Sequence, residues 1–437
     1  MAQSYCVYKR NNCATFDLFV RELPPKRSYL VAAGLQDILD FIRTLRFKRE
    51  DLEYLRSQKI FSEEFLGYLS NFKFKGDIWA LAEGEVFFAN EPVLRVTAPI
   101  IEAQIIESFL LNTINLQTMI ASKASRVVNA AKGRKVYDFS LRRTHGQDAG
   151  IKGARSSYIA GASGTSCVLA GRLYKIPIVG TMAHAFVMSF RNEIDSFLAY
   201  SETFPQKSIL LVDTYDTKKG IENAVTIGLY LQEKGCRLQG IRLDSGDIAA
   251  LSKLARENLD KAGLDYVKIL ASGNLDEFKI RSLLKKGAKV DSFGVGTNMG
   301  TSSDAPSLDV IYKISEVTNE NGEFLPTMKL SKAKVTYPGR KQVYRVKDRQ
   351  GRYTKDILGL EKEKIKGEPL LKKVVHRGKV VYKSPSLENI RIFAKNNLSR
   401  FPERISNLDS GYRYPVVVSA GLIQLRKSLS RLLEKRQ

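Results

Sequence analysis

Cysteine is scarce in this chain, with four residues (Cys6, Cys13, Cys167 and Cys236) among 437. They form neither a disulfide framework nor a Cys-x-x-Cys metal pair, which excludes a disulfide-stapled secreted scaffold and points to a reducing, cytoplasmic setting. No window reaches the ~18 consecutive apolar residues that a membrane-spanning helix needs. The opening Met1-Ala2-Gln3-Ser4-Tyr5-Cys6 lacks the basic and apolar regions of a secretory signal.

What the chain has in excess is positive charge, 70 Lys+Arg against 46 Asp+Glu, for a formal net charge of +24. Such a surplus suits phosphate backbones through counterion release. It is scattered from Lys9 to Arg436, however, with local density only at Lys285-Lys286, Lys372-Lys373 and Arg426-Lys427 and no run that reads as a basic arm. Neither an aromatic RNA-binding signature nor a zinc-finger spacing is present, so nucleic acid is not expected as a partner. Polyanionic small substrates such as nucleotides and phosphosugars fit the same charge. With 43% hydrophobic and 9% aromatic residues the chain is globular, and its length suits two to three domains.

Along the chain the hydrophobic period changes. Ala14 to Val20 alternate as a half-buried strand does; Val31–Ile42 and Asp51–Leu69 carry helical spacing; Glu85–Phe88 and Val93–Val96 are short strands set off by Gly84 and Pro92. A long apolar helix runs from Ile100 to Ala131. From Gly133 short apolar runs recur without polar alternation, at 135–139, 176–180, 208–213, 240–244, 267–271 and 291–296. Runs of that kind are parallel strands covered on both faces, and the later ones alternate with amphipathic helices at 221–234, 248–261 and 275–286. The expected fold class is α/β, an irregular (β/α) barrel with a second α+β domain built from N-terminal and post-barrel segments. The boundaries are 1–98 for the N-terminal α+β domain, 99–132 for the connecting helix and 133–300 for the barrel, then 301–395 for a strand-rich return and 396–437 for a helical tail. The end, Leu425 to Arg436, reads as an amphipathic helix docked on its own core.

In a barrel the residues that end the strands gather at one rim, where the active site lies. Those ends are Asp138–Gly146, Gly180–His184, Asp213–Thr217, Arg242–Asp247, Ser272–Asn274 and Gly296–Asn298. They combine Gly-flanked hydroxyls, arginines and carboxylates, the equipment for a phosphorylated sugar: Gly lets backbone N–H groups approach phosphate, Arg forks onto it, and Asp serves ribose or Mg²⁺. Taken singly each has a plainer reading. Asp213 and Asp216 suit helix caps, Arg142-Arg143 suit a solvated pair or a partner for Asp138, and His376 suits a hairpin. His184, one of three histidines, is the sharpest candidate for acid–base or phosphoryl-acceptor chemistry, and no second His or Cys stands at metal-ligand spacing from it.

The motifs Arg142-Arg143-Thr144-His145-Gly146, Gly180-Thr181-Met182-Ala183-His184, Leu211–Thr217, Ile241–Asp247, Ser272–Glu277, Phe293–Thr297 and Pro338–Arg345 resemble, in order and spacing, those of the nicotinate phosphoribosyltransferases. The resemblance implies a type II phosphoribosyltransferase, a homodimer using Mg²⁺ that joins nicotinate to 5-phosphoribosyl 1-diphosphate. The products would be nicotinate mononucleotide and diphosphate on the route to NAD, with ATP hydrolysed alongside through a phosphohistidine at His184. Thr181 and Arg242 would contact nicotinate and Thr297 the phosphosugar; Arg143, Ser272, Gly273 and Gly296 would hold phosphates, and Asp244 the ribose or Mg²⁺. Alternatives left open are a nicotinamide- or quinolinate-using relative, a silent phosphosugar-binding protein and a basic nucleic-acid-binding protein. Two departures stand out. Ala185 replaces an expected Ser, so a supporting hydrogen bond beside the histidine is expected to be missing. Met1 falls after a Thr-Asp-Leu-Tyr-like segment of the family, whose tyrosine stacks on the pyridine ring; weak nicotinate binding and a reading frame that begins upstream are expected.

Overall fold

Short parallel strands bury both faces only if helices cover them, and the computed structural model shows that arrangement in one of two compact units, Ile120–Pro306. The structure describes residues 1–330, 336–409 and 411–435, so the expected end of the last helix at Arg436 lies outside the described residues. In the Ile120–Pro306 unit six parallel strands stand in the order Gly164–Thr165, Lys135–Asp138, Ser292–Val295, Lys268–Ala271, Gly240–Leu243 and Ile209–Leu211. The Ile176–Val179 run joins through a single bridge, Thr165 to Ile178. The α/β class expected from the sequence is present; among the described residues no ladder joins the Ile209–Leu211 edge to the other end of the sheet. Gly164–Thr165 was absent from the sequence reading because a two-residue strand of small residues has no hydrophobic period to detect.

Three successive strands, Ile209–Leu211, Gly240–Leu243 and Lys268–Ala271, are each followed by a helix whose first turn is capped by an aspartate. Asp216 accepts from Lys219 N ahead of Thr217–Glu233, Asp247 from Ala249 N and Ala250 N ahead of Ile248–Lys261, and Asp276 from Lys279 N ahead of Glu277–Lys285. The helix expected over Ile100–Ala131 is divided at Ile106 into Ile100–Ile105 and Glu107–Ala130. Its last turns carry buried cations. Lys123 Nζ lies 2.7 Å from Glu277 Oε2 and 2.8 Å from Asp304 Oδ1, and Arg126 Nε lies 2.9 Å from Glu277 Oε1. Pairing is what makes their burial tolerable, since an isolated buried charge costs several kcal/mol.

The other unit, Met1–Met119 with Ser307–Gln437, is α+β. Its seven-stranded antiparallel sheet has the order Phe324–Pro326, Val310–Thr318, Cys13–Val20, Pro92–Pro99, Asp77–Ala80, Lys372–His376 and Lys379–Val380, so strands from before and after the parallel unit in the chain interleave. Cys13–Val20 is not half-exposed as its alternation suggested. Its polar face is covered, with Thr15 donating to Glu316 at 2.8 Å and Asp17 paired to Lys341 at 2.7 Å. The helix expected from Val31 starts at Leu35, after Gly34 at φ 108°; Asp51–Leu69 is two helices, Arg49–Ser57 and Glu63–Ser70, the second capped by Ser62. The supposed helical tail contains a strand, Val416–Val418, paired to Tyr353–Leu360 before the terminal helix Ala420–Glu434. His376 sits in a hairpin, 3.1 Å from Asp77, as its plainer reading held. Among the described residues no helix is long and apolar enough to cross a membrane.

Arg345, 1% exposed, organises a buried charge cluster in this unit. It forks onto Asp356 at 2.9 and 2.6 Å, pairs with Glu85 and donates to Val86 O at 2.7 Å. Burial, reinforced by the Asp356 charge and only partly relieved by Arg345, raises the Glu91 carboxyl well above its ordinary value. A folded-state pKa raised in this way gives stability that is full below the unfolded value near ~4.3 and is lost as pH rises toward the folded value. Glu91→Gln should therefore gain in melting temperature relative to wild type as pH goes from about 5 to about 8. Thermal melts at both pH values check this, and an equal difference at both would show that Glu91 carries no extra proton.

Candidate active site

Because the strands of the Ile120–Pro306 unit are parallel and in register, their C-terminal ends open onto one rim, and a cavity of about 770 Å³ lies there. All nine residues expected at the site line it: Arg143 after Lys135–Asp138, Thr181 and His184 after the 176–179 run, and Arg242 and Asp244 at the end of Gly240–Leu243. Ser272 and Gly273 follow Lys268–Ala271, and Gly296 and Thr297 follow Ser292–Val295.

Arg242 is the most constrained of them. Its Nε donates to Ser272 Oγ at 2.7 Å, Nη1 to Thr181 Oγ1 at 3.0 Å and Nη2 to Asp244 Oδ1 at 2.6 Å, and its Cζ stands 5.6 Å from the Phe139 ring centre. A guanidinium has five N–H groups, so two remain for a ligand. Ser272 Oγ in turn donates a hydrogen bond to Asp244 Oδ1 at 2.5 Å, which commits that hydroxyl to the network. Burial pushes the Asp244 carboxyl up, but the hydrogen bond from Ser272, the charge and hydrogen bond of Arg242 and the more distant His184 outweigh it and hold the group below the usual carboxylate range. The backbone N–H of Asp244 and the hydroxyl of Ser245 both donate to Asp213 Oδ2, at 2.9 and 2.6 Å. Asp213 is thus an anchor of the rim, while Asp216 is the helix cap.

His184 opens the short helix His184–Met188 and is partly exposed to the cavity. Its Nδ1 lies 3.1 Å from Thr214 Oγ1 and its Nε2 3.9 Å from Asp244 Oδ2. Ala185 has no side-chain hydrogen-bonding group, and the hydrogen bond to the ring comes from another turn, from Thr214. Arg142 and Arg143 are exposed, and among the described residues neither guanidinium has a hydrogen bond or ion pair. They are not partners of Asp138, which is buried and accepts from Ser140 N, Ser140 Oγ and Thr165 Oγ1 at 3.0, 2.5 and 2.8 Å. Three arginines against one lining carboxylate, Asp244, make the cavity a receptor for anions. Among the described residues no group of three or more His, Cys, Asp or Glu is placed to hold a metal ion.

Phe139 and Ser166 are among the lining residues outside the expected set. Phe139 was within a quoted strand end, and its role shows only through the ring contact with Arg242. Ser166 follows the unrecognised strand Gly164–Thr165. The run Ser163-Gly164-Thr165-Ser166, small and polar like the other strand ends, was the signal that could have found it.

Family models match three stretches: the nicotinate phosphoribosyltransferase N-terminal domain over residues 1–115, the nicotinate phosphoribosyltransferase family over 134–358 and the nicotinate phosphoribosyltransferase C-terminal domain over 364–426. The chain is similar to a nicotinate phosphoribosyltransferase of Mycobacterium tuberculosis, 45% identical over 425 residues that cover 97% of this chain and 90% of that protein. It is also similar to one of Bacillus subtilis, 38% identical with 93% and 88% covered. Among solved structures, human nicotinic acid phosphoribosyltransferase superposes with a TM-score of 0.88 at 28% identity, covering 98% of each chain. A nicotinate-nucleotide pyrophosphorylase from Pyrococcus furiosus gives 0.72 at 26% identity, covering 91% of this chain and 92% of that one.

Gly273 makes the tightest contact of the rim. It has φ 92°, and a Cβ there would lie 1.9 Å from the carbonyl oxygen of Asp244. Gly273→Ala should displace Asp244 and with it Arg242, lowering turnover roughly 10²-fold as a misplacement of about 1 Å does. Circular dichroism and the cooperativity of melting should remain native; undiminished turnover would show that the Asp244 loop yields freely.

Proposed function

The chain belongs to the nicotinate phosphoribosyltransferase family, and on that premise we propose that it joins nicotinate to 5-phosphoribosyl 1-diphosphate. The products are nicotinate mononucleotide, for NAD biosynthesis, and diphosphate, with ATP hydrolysis coupled through His184. The observation that carries the reading is Arg242, immobilised by three hydrogen bonds with two N–H groups left over, inside a cavity that also holds Arg142 and Arg143, unpartnered among the described residues. A planar fork of that kind matches the nicotinate carboxylate and favours it over neutral nicotinamide. Phe139 offers an aromatic face beside the fork.

Displacing diphosphate from the anomeric carbon builds positive charge on the sugar and negative charge on the leaving group, so the site needs electrostatic stabilisation more than a strong base. Arg143, with Arg142 beside it, faces the diphosphate. Gly273 and Gly296 offer backbone N–H groups to phosphate, Ser272, whose own N–H is bound to Leu243 O at 2.8 Å, supports them through Arg242 and Asp244, and Thr297 reaches the phosphosugar. Asp244, held ionised, orients ribose hydroxyls and partners the charge that develops on the sugar. Mg²⁺ is bound typically through one or two carboxylates together with substrate phosphates, and one lining carboxylate, Asp244, fits that habit; when bound, the ion neutralises charge on the leaving diphosphate. We also propose that the enzyme is a homodimer.

Incubation with nicotinate, phosphoribosyl diphosphate, Mg²⁺ and ATP, with mononucleotide and ADP both measured, tests the reading. Equal use of nicotinamide or quinolinate would overturn the base assignment. Arg242→Lys should raise the nicotinate KM more than the phosphoribosyl diphosphate KM, at a cost of about 1–3 kcal/mol in kcat/KM. An unmoved nicotinate KM would assign Arg242 to the phosphates instead. His184→Ala should remove the ATP-stimulated component and leave a slow ATP-independent synthesis; equal loss with and without ATP would count against coupling.

A further inference from the structure

The imidazole of His184 lies between two groups of different capacity. On one side Thr214 Oγ1 is 3.1 Å from Nδ1; on the other Asp244 Oδ2 is 3.9 Å from Nε2. Both contacts derive from one anchor. Thr214 directly follows Asp213, and Asp213 Oδ2 receives the backbone N–H of Asp244 and the hydroxyl of Ser245. Among the described residues Thr214 Oγ1 has no other hydrogen-bond partner, so its proton is free to point at the ring.

An ionised carboxylate only accepts, whereas a hydroxyl donates or accepts. Asp244 Oδ1 is already engaged by Arg242 and Ser272, which leaves Oδ2 facing the histidine as a negative charge. That charge attracts the N–H edge of a neutral imidazole and repels a bare lone pair. The ring proton therefore belongs on Nε2, and the lone pair on Nδ1 meets the Thr214 hydroxyl.

We propose that Thr214 is the positioning residue of His184, its hydroxyl donating to Nδ1 and holding the neutral ring in the Nε2–H form with Nδ1 as the nucleophilic nitrogen. The proposal rests on the reading of His184 as acceptor of the ATP phosphoryl group. In that step the Nδ1–phosphorus bond forms while the bond from the γ-phosphorus to the β–γ bridging oxygen breaks, and ADP leaves with the electron pair. Nε2 keeps its proton throughout, and the positive charge gained by the ring faces Asp244, so no proton has to depart. The Thr214 hydroxyl, released from Nδ1, turns to a phosphoryl oxygen.

The chain has three histidines, His145, His184 and His376, so ¹⁵N-histidine labelling of the full-length protein gives three separable rings, and loss of one set of signals in His184→Ala assigns the ring of interest. Two-bond ¹H–¹⁵N spectra recorded at about pH 8–9, where an ordinary histidine is neutral, report which nitrogen carries the proton. Wild type should show an unprotonated Nδ1 and a protonated Nε2 at His184. Thr214→Val, which keeps the shape but loses the hydroxyl, should show averaging between the two tautomers, and Thr214→Ser should restore the wild-type pattern. Unchanged His145 and His376 signals report that the variants are folded. With radiolabelled ATP, the rate of phosphoenzyme formation should fall roughly 10-fold in Thr214→Val, the scale of one lost hydrogen bond, and return in Thr214→Ser. A protonated Nδ1 in wild type, or a valine variant indistinguishable from wild type in the spectra, overturns the proposal. A wild type with the expected tautomer that accepts no phosphoryl group supports the Thr214 contact and overturns instead the coupling of ATP through His184.

Discussion

The rim of the parallel sheet depends on a carboxylate that lines no part of the cavity. Asp213 uses one oxygen to hold both the backbone of Asp244 and the hydroxyl of Ser245, and Asp244 in turn fixes Arg242 jointly with Ser272. Each link is short and charge-assisted, the class of hydrogen bond with roughly twice the strength of a neutral one. Three turns that arise from different strands are thereby set relative to one another before any ligand arrives. An arginine so constrained loses little further side-chain entropy on binding, which is the physical content of preorganisation.

Which parts of this were legible in the sequence follows from what each residue had to satisfy. The helix Ile248–Lys261 was readable to the residue because its amphipathic period and its Asp247 cap agree. That the nine expected residues would be neighbours was readable because parallel strands must end at one rim, so a list of strand ends is already a list of neighbours, whereas their selection from those ends came from the family resemblance. Asp213 and Asp216 could not be told apart, since both sit in the same turn and the difference is which backbone N–H each one meets. Gly164–Thr165 left no trace because its hydrogen bonds, not its side chains, make it a strand. Cys13–Val20 misled for the opposite reason: its polar positions meet buried ions rather than water.

The motif Pro338–Arg345 takes on a different meaning in the structure. It was quoted among segments that carry chemistry, yet Arg340 pairs with Glu316, Lys341 with Asp17, and Arg345 with Asp356 and Glu85, all within the α+β unit. Its cations stitch the Lys341–Lys347 strand to its surroundings, and burial depresses the Lys341 ammonium even though Asp17 opposes the effect. Part of the chain's positive charge is therefore internal architecture, with Arg340, Lys341 and Arg345 each matched to an acid of the same unit. The unmatched arginines that remain at the cavity are those available to a ligand.

The interleaving of the seven-stranded sheet has a consequence for how the chain is made. Cys13–Val20 lies between Pro92–Pro99, available early, and Val310–Thr318, which is synthesised almost three hundred residues later. At ~5–20 residues per second the first strand leaves the ribosome roughly 15–60 s before its second neighbour exists. Throughout that interval one edge of a strand rich in phenylalanine and leucine is unpaired, the condition under which sheets recruit foreign strands. The parallel unit, whose residues are contiguous, faces no such delay. A nascent chain would thus carry a finished parallel unit and an open sheet, and the demand for chaperone protection falls on the α+β unit.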